Sequence, residues 1–141
     1  MDPRNRTLHA LVRLRRTEAD RARATLARML ADEQAAADLV QASRARIESE
    51  RQAAMGDATF ATAFGDWLPV GREAVERAQT GLDAARRASE QARVAMMQAN
   101  AALKAAQAIV DKRQEEENEI RTRREQNEID DLSRRTSINL T

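Results

Sequence analysis

Apolar and small side chains recur along the chain from Leu8 at alternating steps of four and three residues. The run is Leu8, Val12, Ala19, Ala22, Leu26, Met29, Ala36, Val40, Ser43, Ile47 and Ala54, interrupted by charge at Arg15, Glu33 and Glu50. That spacing returns each residue to one side of an α-helix and defines a heptad seam. Asp2 and Pro3 form a start signal, because Asp accepts from free amides and Pro fits a first turn where its missing N–H is not needed. The pattern predicts a first helix over about 4–54.

A second seam is more regular. Val75, Leu82, Ser89, Met96, Leu103 and Val110 stand one heptad apart, interleaved with Ala78, Ala85, Ala92, Ala99 and Ala106. A strand, with its period of two, cannot produce this rhythm. The second helix is predicted over about 72–132. Its seam decays after Val110 through Arg113, Glu117, Ile120, Arg124 and Asn127, and residues 133–141 read as a frayed tail.

Between the helices, residues 55–71 hold three of the four glycines, one of the two prolines and every aromatic: Phe60, Phe64 and Trp67. Gly56 and Asp57 end the first helix and cap a short one over 58–64, which Gly65 stops; Pro69 and Gly71 delay the second helix. This segment reads as a short irregular or helical turn. A long amphipathic helix has no stable way to hide its seam alone, and so short a connection imposes antiparallel pairing. The expected fold is all-α: a single antiparallel two-helix coiled-coil hairpin. The expected register sets Ile47 opposite Leu82 and Val40 opposite Ser89. It lays Arg13, Arg15 and Arg16 beside Glu115, Glu116 and Glu117, pairs that contribute only about 0–1 kcal/mol each when exposed.

Composition narrows the function. Aromatics make up 2% of the chain and charged residues 33%, and alanine is the commonest of the apolar residues that make up 42%. Such a chain makes paired helices, not a globule around bulky side chains. Formal net charge is +1, so no global field demands an acidic partner. With no cysteine there is no disulfide framework and no cysteine zinc site. The N-terminus lacks the apolar stretch of a signal peptide, and no run approaches the roughly 20 apolar residues of a membrane span. These points suggest a cytoplasmic chain without membrane insertion.

No reactive constellation stands out. His9 is the single histidine and reads as an exposed residue near a helix start. Glu115, Glu116 and Glu117 fan around a helix and share no pocket. No glycine-rich phosphate loop is present. A two-helix fold offers no cavity from which to exclude water, so no catalytic residue, metal ligand or cofactor is expected, and the chain is read as a non-enzyme. Arg4, Arg6, Arg13, Arg15, Arg16, Arg21, Arg23 and Arg28 could follow phosphates. No aromatic residues interleave with them to stack bases, and nucleic acid is not the expected partner. Two regions remain. Phe60, Phe64, Trp67 and Leu68 either plug the tip or dock a partner. At the terminal end, Leu8, His9, Leu11 and Arg13 lie near Ile120, Arg121 and Arg124.

Several of these features together resemble the flagellar export protein FliJ family and its YscO-like type III secretion relatives. They are a length of 141 residues, a basic first helix with Leu8-His9-Ala10-Leu11-Val12-Arg13-Leu14-Arg15, and a mid-chain break containing Trp67. A longer second helix carries Arg121-Thr122-Arg123-Arg124-Glu125-Gln126 near its end. The resemblance implies a coiled-coil stalk, itself hydrolysing nothing, whose terminal end engages a hexameric export ATPase and promotes its activity. The turn region would contact the membrane protein of the export gate and bind empty export chaperones. Carried onto this chain, the ATPase-facing residues are Leu8, Leu11, Arg13, Arg16, Ile120, Arg121 and Arg124. The gate- or chaperone-facing residues are Phe60, Phe64, Trp67, Leu68 and Val75. The resemblance places such a protein in the cytoplasm, peripheral to the membrane-embedded machinery, and leaves flagellar and virulence-type export equally open. The alternative is a generic coiled-coil scaffold, with a basic nucleic-acid-binding arm behind it. Leftover apolar residues such as Leu30, Leu39 and Ile109 leave room for weak self-association.

Overall fold

The computed structural model describes residues 2–139. They form two long helices packed against each other, α1 (Pro3–Ala54) and α2 (Ala58–Asn139), with no strand among the described residues. The all-α helical hairpin expected from the heptad pattern is therefore the fold.

The helix ends follow from local chemistry. Asp2 Oδ1 accepts from the Arg4 amide at 3.1 Å, and the Asp2 carbonyl accepts from the Arg6 amide at 3.1 Å. These bonds cap α1 where the Asp-Pro signal places its start. Its other end is set by Gly56, whose φ of 88° lies in the left-handed region that residues with a Cβ rarely enter. Asp57 then caps α2 at once: its Oδ1 accepts from the Thr59 amide at 2.8 Å, and its carbonyl from the Ala61 amide at 2.9 Å.

Both predicted limits of the second helix need correction. The turn is Met55, Gly56 and Asp57 alone, and not residues 55–71; α2 runs unbroken through Gly65, Pro69 and Gly71. A helical Gly costs about 1 kcal/mol relative to Ala and an interior Pro about 3 kcal/mol. Contacts that Phe64 and Trp67 make against α1, described below, oppose that cost. At the other end, 133–139 are helical and not frayed; residues 140–141 lie outside the described residues. No Gly or Pro follows Gly81, and side chains there brace the helix: Gln126 Nε2 donates to Asp130 Oδ1 at 3.2 Å, and Thr136 Oγ1 to the Leu132 carbonyl at 2.9 Å.

The chain packs as two compact units, Met1–Glu18 with Asn100–Thr141, and Ala19–Ala99. In the second of these, Val40, Ala78 and Leu82 are buried together, with Ala36 and Ala37 packed on them. A polar layer follows. Ser89, only 4% exposed, places its Oγ 3.1 Å from Glu33 Oε2 and 3.0 Å from the Arg86 carbonyl, so its proton can go to either. Arg86 Nε approaches the same carboxylate at 3.9 Å. Val40 thus meets Leu82, and Ser89 meets Glu33. The predicted pairs, Ile47 with Leu82 and Val40 with Ser89, are one heptad out of register. A seam that repeats every seven residues pairs apolar with apolar after such a slip, so its periodicity alone does not choose between the copies.

In the terminal unit, Val12, Ala106 and Val110 are buried together, with Leu8, Leu11 and Leu103 packed against them. Asn5 Nδ2 donates to Glu117 Oε1 at 2.8 Å, and Arg113 reaches Asp2 Oδ2 at 3.4 Å. The same register correction dissolves the predicted alignment of Arg13, Arg15 and Arg16 with Glu115, Glu116 and Glu117. Arg15 pairs within α1 with Glu18 at 3.0 Å instead, and Glu117 is taken by Asn5.

Cysteine pairs test the register. Val40→Cys with Leu82→Cys should close on mild oxidation and change mobility on a non-reducing gel. Val40→Cys with Ser89→Cys should stay largely reduced; the opposite result would restore the slipped register.

Candidate docking surfaces

Close to the turn, α2 lays its aromatics against α1. Trp67 is half-buried: the Arg46 guanidinium carbon lies 5.3 Å from its ring centroid, and the Phe64 ring centroid is 6.2 Å away at an interplanar angle of 38°. Beneath the indole sits Gly71, one helical turn on. A Cβ at that position would stand 2.7 Å from Trp67 Cη2, so any side chain there would displace the ring from where it rests. Arg46, Glu50, Ala53, Ala54, Phe60 and Ala63 join Phe64 and Trp67 around a groove of about 420 Å³. Phe60 is 60% exposed and Met55, in the turn, 76%.

Three of the five predicted turn-region residues therefore share one groove. Val75 lines a different one with Ile47, and Leu68 is half-buried and lines neither. As to plug or dock, Phe64 and Trp67 cover α1 while Phe60 stays open to solvent. Arg46 and Gly71 were missed from the sequence. Gly71 was legible: it stands four residues after Trp67, on the same face of a helix.

At the terminal end, a groove of about 370 Å³ is lined by Asn5, Leu8, His9, Val110, Arg113, Gln114, Glu117, Asn118 and Arg121. Of the residues predicted there, Leu8 and Arg121 line it, whereas Leu11 packs into the Val12–Val110 core. Arg13, Arg16, Ile120 and Arg124 are exposed outside it, Ile120 by 49%. Beyond Glu117, every described residue of α2 is exposed. No ion pair is made by Arg121, Arg123, Arg124, Arg134 or Arg135 among the described residues. Arg113 was read from the sequence only as a charged step of the decaying seam. It occupies a seam position with Nε buried and without a hydrogen bond, Glu117 Oε1 lying 3.9 Å away.

No described helix is long and apolar enough to cross a membrane. The chemistry on offer is that of surfaces: one aromatic groove edged by Arg46 and Glu50, and one charged helix end. The fold and these surfaces define an all-α helical hairpin with two candidate docking regions. Compared with protein-family models, curated proteins and solved structures, the chain matches none.

Arg46→Ala should remove a cation–π contact worth about 0.5–1 kcal/mol. Denaturation followed by the emission of Trp67, the one tryptophan, should show the loss together with a red-shifted folded state. An unchanged midpoint would mean the guanidinium contributes nothing.

Proposed function

We propose that the chain is a non-enzymatic stalk or adaptor of a flagellar or type III export apparatus. On this reading it works in the cytoplasm beside the membrane-embedded machinery. Its terminal end binds and stimulates a hexameric export ATPase, and its turn region binds the export gate protein and export chaperones.

The observation that carries this reading is the exposed continuation of α2. Past Glu117 every described residue of the helix is exposed, Ile120, Arg121 and Arg124 among them, and these arginines make no ion pair among the described residues. An exposed helix end that carries five arginines among five acids, with Ile120, Ile129 and Leu132 open to solvent, suits a partner surface that pairs charges of both signs around an apolar contact. Leu8 and Leu11 serve there as support: they hold α1 against α2, and Arg13 and Arg16 supply the outward charge. The aromatic groove at the turn, with exposed Phe60, supports a second and separate contact.

Adding the protein to a hexamer-forming export ATPase should give a co-eluting complex and faster ATP turnover. The double substitution Arg121→Glu, Arg124→Glu should weaken that complex by about ten-fold or more, chiefly through slower association at low salt. Phe60→Ala should leave the stimulation intact and lower retention of chaperone or gate protein. No complex and unchanged turnover with the unaltered chain would end the export reading in favour of a scaffold without an ATPase.

A further inference from the structure

We propose that residues 58–68 of α2 form a detachable strap, a stretch of helix that melts off α1 while the rest of its unit stays folded, releasing Phe64 and Trp67.

Three observations meet in this segment. The first is burial. From Gly71 onward, buried residues recur through the unit at Gly71, Ala78, Leu82, Ser89 and Ala92, whereas not one residue of 58–68 is buried. The second is the nature of its hold on α1. Among the described residues no ion pair ties 58–68 to α1; what holds it includes the Arg46–Trp67 stack and the aromatic groove over Ala53 and Ala54. Few buried apolar contacts and a solvated backbone mark segments that open locally, ahead of global unfolding.

The third is the pair of breaks that isolate it. On one side lies the turn at Met55, Gly56 and Asp57. On the other, Pro69 has no N–H, so the Gly65 carbonyl lacks its helical donor and the hydrogen-bond ladder is cut. Cooperativity along α2 is interrupted at that point, and unwinding of 58–68 need not propagate into the alanine seam. Because both ends of the strap are tethered, its melted form is a loop spanning the turn, and the pairing of Val40 with Leu82 is untouched.

Gly71 is the seat onto which the strap closes, since the indole of Trp67 occupies the space a Cβ would need. The strap requires no particular partner; on the export reading it makes access to Phe64 and Trp67 conditional on undocking.

Hydrogen exchange by mass spectrometry on the full chain tests the proposal, with acrylamide quenching of Trp67 alongside. Amides of 58–68 should exchange about ten-fold or more faster than those of 74–99. Pro69→Ala should restore the missing donor and slow the strap toward the rate of its neighbours. Gly71→Ala should raise quenching of Trp67 with little change in helical circular dichroism. Equal protection of 58–68 and 74–99 in the unaltered chain would overturn the strap, as would a Pro69→Ala variant with unchanged exchange. Should Gly71→Ala unfold the hairpin as a whole, those two exchange measurements decide alone.

Discussion

Alanine at the interface between α1 and α2 governs most of what this hairpin does. Five of its nine buried apolar residues are alanine, and no large side chain is fully buried among the described residues. Small side chains let two helices approach toward the lower end of the roughly 8–10 Å range. Each buries little, at about 0.8 kcal/mol per CH₂, so pairing accumulates over many weak layers and has no dominant centre. Local stability then follows local inventory. A stretch with a regular set of buried positions is held, and one without them is held only by whatever aromatic or ionic contact it can find.

A seam this periodic has a weakness, since it is nearly degenerate to a slip of one heptad. Ala78, Ala85 and Ala92 are interchangeable as partners, and so are Val75 and Leu82 within a methylene or so. The Glu33–Ser89 contact removes the degeneracy. In the observed register the charged interruption of α1 meets the serine of the α2 seam, 3.1 Å from its hydroxyl. In the slipped register Glu33 would fall opposite Met96 and Ser89 would lose its partner, leaving a half-buried carboxylate against a thioether. Polar residues inside apolar seams are well suited to fixing register at some cost in stability. Here one layer discriminates where the alanines cannot.

How much of this was legible in the sequence follows from the same physics. Helix identity, the faces used, the cap at Asp2 and the end of the first helix at Gly56 were readable, because each depends on spacing or on one residue's own conformational limits. Register was readable in principle from Glu33 and Ser89, but apolar periodicity alone leaves it open. The extent of the turn was misread because Gly65, Pro69 and Gly71 are breakers by propensity, and propensity is a weak term beside a tertiary contact. What outweighs them is a Trp and a Gly four residues apart, a spacing that places ring over backbone only if the segment is helical. The candidate docking residues were legible as a region. Their division between groove, core and open surface was not, since it depends on the register.

That division bears on how the terminal end could recognise anything. Residues of the seam are partly covered: Leu8 and Leu11 pack against the Val12–Val110 core and keep only part of their surface open, Leu8 along the terminal groove. What remains outward is charge on Arg13, Arg16, Arg121 and Arg124, with Ile120 as the one large apolar group among the predicted set that is open there. Exposed charges contribute more to association rate and to rejection of wrong partners than to raw affinity. Ile120 and Arg124 stand one helical turn apart, so a single face of α2 offers an apolar group beside a cation. Tight binding there turns on desolvating Ile120, because the exposed charges beside it set rate and selectivity more than affinity.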